Sequence, residues 1–277
     1  MEYQFGYAKM DQPGVNQFLF HPRKEVDSKT PHGAIDHDII VEEDIRISTR
    51  FHMAGLEDPN ILFFHGNGEI AGDYDSIGPV YNEHGLSLLA VDYRGYGRSG
   101  GTPTVTSMMS DAHVILKEVQ RWLQEAGHTG PLVIMGRSLG SACAIELAAC
   151  NGKNISGLII ESGFALTVPL LKCLGVDTEA LGITEADGFQ HVHKIAQVTK
   201  PTLTIHAQHD QIIPVMSAEL LQVDCAAKAK EFRMVPGADH NTIMLHAGKW
   251  YFETIKQFTD KIEGKRQKRS VRRNRKK

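Results

Sequence analysis

The stretch PLVIMGRSLGSACAIELAA, residues 131–149, runs an apolar segment into Gly136-Arg137-Ser138-Leu139-Gly140 and then into small residues that predict a helix. Glycines two positions either side of a serine fit a sharp strand-to-helix turn. Such a turn lifts the hydroxyl above a sheet, and a side chain at either glycine would strike its neighbours. A hydroxyl displayed in this way can attack a carbonyl carbon if a base takes its proton and an acid orients the base. N–H groups must also receive the charge that develops on oxygen. Gly97-Arg98-Ser99-Gly100-Gly101 fits the same pattern, but the GGTPT that follows Ser99 breaks structure instead of starting a helix. Ser99 is therefore read as a turn residue.

A serine relay above a parallel sheet takes its acid and then its histidine from later loops, each just beyond a strand. Asp210 closes PTLTIHAQHD, and His240 lies in VPGADHNTIM. Ser138, Asp210 and His240 are thus the expected catalytic set, with Glu161, at the end of ISGLIIES, open as the alternative acid. The expected oxyanion donors are the backbone N–H of Leu139, next after the nucleophile, and that of Asn67. Asn67 sits in His65-Gly66-Asn67-Gly68-Glu69, where flanking glycines permit close approach. The same loop leaves a second chemistry open. Gly66-x-Gly68-x-x-Ala71 after a strand, with Asp92 ending the next one, is a loose dinucleotide fingerprint of an NAD-dependent oxidoreductase. That reading uses neither the Ser138 turn nor the loops of Asp210 and His240. His206 reads as strand core, and His209 precedes the position expected of the base. His191-Val192-His193 reads as an exposed loop pair with no third ligand for a metal.

Strand-like and helix-like segments alternate along the chain, the pattern of a mostly parallel sheet covered on both faces. NILFFH (60–65), LSLLAVD (86–92), PLVIMG (131–136), ISGLIIES (155–162) and PTLTIHA (201–207) are continuous apolar runs, as strands buried on both sides are. AKEFRMVPG (229–237) is the expected last strand. HDIIVEEDIRISTRFHMA (37–54) alternates and predicts antiparallel strands leading into the sheet. Met108, Ala112, Ile115, Leu116, Val119, Trp122, Leu123 and Ala126 form one helical stripe. Ile243, Ala247, Tyr251, Ile255, Phe258 and Ile262 predict a single final helix. Residues 163–198 interrupt the rhythm and predict a short cap or insertion within one domain spanning 1–263.

At 277 residues, 42% hydrophobic and 23% charged, the composition is that of a soluble globular protein, and no apolar run is long enough for a membrane span. A cytoplasmic protein is the expectation. The four cysteines lack any C-x-x-C spacing and read as buried thiols in a reducing compartment. The net charge of −3 conceals an asymmetry, since residues 264–277, GKRQKRSVRRNRKK, hold nine Lys or Arg and no acid. The remainder carries 21 basic against 33 acidic residues. The basic block reads as a solvated, disordered tail capable of weak contact with polyanions.

FFHGNGE, AVDYRGYGRSGGTPT, VIMGRSLGSACAIELA, AQHDQIIP and GADHN, in this order over about residues 60–245, together resemble the α/β-hydrolase superfamily, in a branch with little or no lid. The resemblance implies an α/β fold with an eight-stranded, mostly parallel sheet and helices on both faces. It implies hydrolysis through an acyl-serine, with no metal or organic cofactor. In that family DYRGYGRSGG is a structural turn, so Asp92, Arg94 and Arg98 are read as structural, and His65 as a buried anchor of the oxyanion loop. The HGN and GRSLGS motifs are similar to a branch of esterases and acyl-protein thioesterases. They imply a small or lipid-like acyl ester or thioester as substrate, with amide hydrolysis, as in related peptidases, the alternative. Membrane-associated members of that branch carry an N-terminal cysteine cluster. No cysteine precedes Cys143 in this sequence, so that localisation is not expected.

Overall fold

The computed structural model describes residues 6–26 and 29–264. The basic tail, apart from Gly264, and the polyanion contact expected of it lie outside the described residues. Every residue of β5 (Asn60–Phe64), β6 (Ser87–Val91), β7 (Leu132–Arg137), β8 (Gly157–Glu161) and β9 (Thr202–Ala207) is buried, as the apolar runs require of strands covered on both faces. β10 (Lys230–Val235) closes one edge. At the other edge β4 (Thr49–His52) pairs antiparallel with β6, and β1 (Ala34–Asp36) pairs antiparallel with β4. The order is β1-β4-β6-β5-β7-β8-β9-β10, with parallel pairing from β6 to β10. This is the mostly parallel sheet that the alternating segments predict, with the eight strands that the resemblance implies.

The leading edge differs from expectation. Residues 37–54 supply only β4 to the sheet. β2 (Ile39–Glu42) and β3 (Ile45–Ile47) pair with each other as a separate hairpin that lies against α3 (Val105–Glu125). One facing pair, Ile39 and Ile47, gives the hairpin its buried side, so alternation alone did not reveal which sheet these residues join. α3 begins three residues before its predicted stripe. Thr104 caps it by accepting from Ser107 N at 3.0 Å, while Ser107 Oγ accepts from Thr104 N at 2.9 Å.

α3 and α4 (Ser141–Cys150) cover one face of the sheet, joined there by α1 (Pro13–Leu19) and α5 (Thr167–Cys173). α2 (Gly78–Glu83), α8 (Ile243–Ala247) and α9 (Lys249–Ile262) cover the other face. The predicted single final helix is therefore two. Its apolar stripe continues in phase, but Gly248 takes φ +50° and breaks the backbone between Ala247 and Lys249, a conformation that glycine reaches without a Cβ penalty. Cys143 and Cys225 are buried as expected. Cys150 and Cys173 are exposed, and all four are free thiols. Among the described residues no helix is long and apolar enough to cross a membrane.

Residues 163–198 are bound into the core in their second half. Phe189, His191, Ile195 and Val198 are fully buried, and α6 (His191–Ile195) packs between α4 and α7 (Val215–Asp224). His191 is thus no exposed loop residue. Burial pushes it down to about 3, and its ring is 2.6 Å from the Phe164 carbonyl through Nδ1. Beside it Lys194 Nζ lies 2.6 Å from Glu146 Oε2 of α4 and 2.5 Å from Tyr7 OH. This buried ion pair fastens the insertion and the N-terminal segment to the same helix.

Burial opposes the charge on Glu146, yet His113 and Lys194 outweigh it and hold the carboxyl at about 2. Because this lies below its ordinary 4.5, the unfolded chain binds the proton first as pH falls. The stabilisation is therefore complete above pH 4.5 and disappears as pH drops toward 2. Urea titrations of the wild type should show falling midpoints over that window, with a flatter dependence in Glu146→Gln. At neutral pH, Lys194→Met should cost about 3 kcal/mol, because Glu146 then stays buried without its ammonium.

Candidate active site

In the sheet order β5 lies between β6 and β7, so the chain leaves β5 toward one side and returns to pair on its other side. Loops after such neighbouring strands part at their carboxyl ends and leave a crevice there. The turn after β7 occupies it. β7 ends at Arg137, Ser138 takes φ +50°, and a short 3-10 turn (Ser138–Gly140) leads directly into α4. A Cβ on Gly136 would sit 2.3 Å from the Gly140 carbonyl oxygen. One on Gly140 would sit 2.1 Å from the Phe64 carbonyl oxygen at the end of β5. Both glycines are thus demanded by backbone contact, and the turn is wedged against the loop that follows β5.

Three side chains from separate loops meet above this turn. Ser138 Oγ is 2.9 Å from His240 Nε2, and His240 Nδ1 is 2.7 Å from Asp210 Oδ2. Asp210 as acceptor places the hydrogen on Nδ1 and leaves the Nε2 lone pair toward the serine hydroxyl. The carboxylate is itself held by its own turn, because Oδ1 accepts from Ile212 N at 3.1 Å and Ile213 N at 2.8 Å. Burial pushes Asp210 up, but the hydrogen bond from His240 outweighs it and keeps the carboxyl below its usual range. Asp210 and His240 are almost fully buried, while Ser138 is half-buried and reachable.

The structure does not bring Glu161 to His240 Nδ1. Its carboxylate lies 3.2 Å from Arg137 Nε and accepts the Tyr251 hydroxyl. His206 is strand core, with Nε2 2.8 Å from the Ile213 carbonyl, and His209 is exposed. Ser99 lies in a turn, its Oγ accepting from Ser48 N at 2.9 Å.

The loop after β5 is built for rigidity. His65 is fully buried, with Nε2 3.1 Å from Asp92 Oδ1 and Nδ1 2.8 Å from the Gly66 carbonyl. Asp92 also accepts from Ala71 N at 2.8 Å and Ser48 Oγ at 2.6 Å. Gly66 N donates to Glu69 Oε2 at 2.8 Å, and the Tyr93 hydroxyl donates to the His65 carbonyl at 2.6 Å. These contacts overturn the dinucleotide reading. The loop continues into a one-turn 3-10 helix (Ala71–Tyr74), the Gly66 amide is taken, and Asp92 is buried beneath the loop where no ribose reaches it. Arg94 forks onto Asp111 of α3 at 2.7 Å through two nitrogens, and Arg98 Nη1 reaches Asp36 of β1 at 2.5 Å. Both serve the scaffold.

Sequence reasoning missed the contribution of the N-terminal segment. The Asn67 side-chain oxygen accepts from Tyr96 OH at 2.7 Å and from His21 N at 2.9 Å, and Asn67 Nδ2 lies 2.8 Å from His21 Nδ1. Arg23 Nε donates to the Gly68 carbonyl at 3.2 Å. Residues 21–23 therefore strap the Asn67 loop from outside, although nothing in FLFHPR signals this role. Among the described residues no group of three or more His, Cys, Asp or Glu is disposed to hold a metal ion.

A parallel α/β sheet carrying a serine turn at its central crevice, beside a buried Asp–His pair, defines a class of hydrolase scaffold. The profile of the family described as serine aminopeptidase, S33, matches residues 57–174. The protein bem46 of Schizosaccharomyces pombe is 30% identical over 205 residues, covering 72% of this chain and 67% of that protein. The human α/β hydrolase domain-containing protein 17C is 29% identical over 203 residues, covering 72% of this chain and 57% of its own. Among solved structures, an esterase from Pyrococcus furiosus superposes with a TM-score of 0.70 at 17% identity, over 87% of this chain and 98% of that one. A soluble variant of the monoglyceride lipase of Saccharomyces cerevisiae, solved with a substrate analogue, gives 0.66 at 19% identity, over 86% and 97%. The chain belongs to the α/β-hydrolase superfamily.

Because the wall facing Gly140 is backbone that cannot swing aside, Gly140→Ala should cost about 3 kcal/mol. It should also move the serine turn away from β5. A thermal melt checks the first effect and a crystal structure of the variant the second.

Proposed function

We propose that this protein is a serine hydrolase of carboxylic esters or thioesters, working through an acyl-serine. The observation that carries the reading is the continuous relay from Asp210 through His240 to a serine at φ +50°. His240 Nε2 takes the Ser138 proton as Oγ bonds to the substrate carbonyl carbon. The imidazolium is stabilised by Asp210 and then gives that proton to the departing alkoxide or thiolate. Water, deprotonated by the same nitrogen, releases the acid and restores Ser138. The backbone N–H groups of Leu139 and Asn67 receive the oxyanion. The Asn67 side chain is held to the N-terminal strap, its oxygen accepting from Tyr96 and His21 and its Nδ2 lying 2.8 Å from His21 Nδ1, so we assign the donor role to its main-chain N–H. Losing one such donor raises the barrier by about 3 kcal/mol.

A small or lipid-like acyl group is supported by the esterase and lipase scaffolds that superpose on this chain. We read residues 163–198 as a short cap or insertion that shapes the acyl side of the site. The family profile, described as a serine aminopeptidase, favours amide hydrolysis as the second reading, since both reactions share the acyl-serine.

A fluorophosphonate probe should label the wild type and leave Ser138→Ala unlabelled; labelling that survives the substitution overturns the proposal. Against an activated short-chain ester, Asp210→Asn should lower kcat by ~10⁴-fold with little change in melting temperature, because the imidazole loses its orienting acceptor. A panel of esters, thioesters and aminoacyl anilides across acyl lengths separates the two readings. Turnover of anilides alone would replace the ester reading.

A further inference from the structure

Arg137, between the first glycine of the turn and the nucleophile, touches none of the reacting atoms. Alternate strand residues share a face, so its side chain follows Val133 and Met135 to the side of the sheet covered by α2 and α9, away from α4. There the residue is buried, with 6% of its surface exposed. Nη1 bonds the Glu69 carboxylate, whose other oxygen accepts from Gly66 N at 2.8 Å and Tyr74 OH at 2.9 Å. Nε lies 3.2 Å from Glu161. Nη2 donates to the carbonyl of His240 at 2.9 Å and to Asn241 Oδ1 at 3.2 Å. A Cβ on Gly66 would fall 2.4 Å from Nη1, so that glycine also makes room for the cation. Burial works against the charge on Arg137, but Glu69 and Glu161 more than offset it and hold the proton firmly.

One planar fork thus joins the loop that carries Asn67 to the main chain of the base itself. A cation serving stability alone needs only its two carboxylates. The bonds to the His240 carbonyl and Asn241 add geometry, and a guanidinium transmits geometry because its donors are fixed in one plane. We propose that Arg137 is a positioning residue that sets the separation of the imidazole and the oxyanion loop for attack by Ser138. The inference rests on the serine-hydrolase reading. Displacement of catalytic groups by about 1 Å costs on the order of 100-fold in rate, so loss of the fork should appear in kcat and leave KM nearly unchanged.

The test is the rate of fluorophosphonate labelling and the turnover of a short-chain ester by the full chain, with Arg137→Ala, Arg137→Lys and Glu69→Gln. Arg137→Ala should label ~100-fold more slowly, and Arg137→Lys, which keeps the charge without the fork, should also be slow. A solvent-reaching cavity of about 200 Å³, lined by Glu69, Tyr74, Arg137, Glu161 and Asn241, gives a small guanidinium a way in. Methylguanidinium should therefore restore labelling of Arg137→Ala without changing the wild type. Labelling of Arg137→Ala at the wild-type rate, or slow labelling that methylguanidinium leaves unchanged, overturns the proposal. If Arg137→Ala does not fold, Glu69→Gln decides: slower labelling at an unchanged melting temperature supports positioning, and the wild-type rate overturns it. A wild type that resists the probe would instead sink the hydrolase reading, and this inference with it.

Discussion

The backbone of Gly140 rests on the last carbonyl of β5, with no room for a methyl group between them. This contact forces the end of β7 against the end of β5 and turns Ser138 into the left-handed region. It also begins α4 beside the Asn67 loop. The sheet order makes the contact possible, since β5 and β7 are neighbours although α2, β6 and α3 separate them along the chain. The position of the serine hydroxyl is therefore a property of main-chain packing. The surrounding side chains adjust what that hydroxyl meets.

Around this wedge the polar groups are placed by different means on the two sides of the sheet. The acid is held by backbone amides of its own turn, and the Asn67 loop by a buried His–Asp pair and an outer strap. On the α9 side, Arg137, Glu161, Tyr74 and Tyr251 form one buried cluster with the half-buried Glu69 at its edge. On the α4 side, Glu146, Lys194 and Tyr7 form another. Buried ion pairs contribute little net stability when compared with apolar packing, but misplacing one partner is costly. They therefore favour a single register of the loops and of the insertion, which a site working at hydrogen-bond distances requires.

The solved structures that superpose on this chain share less than a fifth of its residues, and what they have in common with it is the scaffold. A superfold hosts many chemistries, and each is decided by the groups grafted on it. In this chain a serine, a histidine and an aspartate stand at hydrogen-bond spacing, with a half-buried hydroxyl, and the proposed chemistry rests on them.

The sequence by itself determined what is local or periodic. The apolar runs marked the central strands because burial on two faces leaves no place for polar residues. Gly136-x-Ser138-x-Gly140 marked the turn because the steric demand falls on residues two positions away. The order of Asp210 and His240 after Ser138 followed from loops that succeed strands. Tertiary structure alone decided the rest. The stripe from Ile243 to Ile262 stayed in phase across Gly248, so periodicity hid the break. Alternation in 37–54 did not say which sheet each strand would join, and His191 was read as exposed because the helix that buries it lies far away in the chain. Arg137 looked like a variable position in a motif, since its partners Glu69 and His240 stand 68 and 103 residues away. A contact between residues so distant in sequence leaves no spacing to read, because only the folded chain brings the two groups within reach of each other.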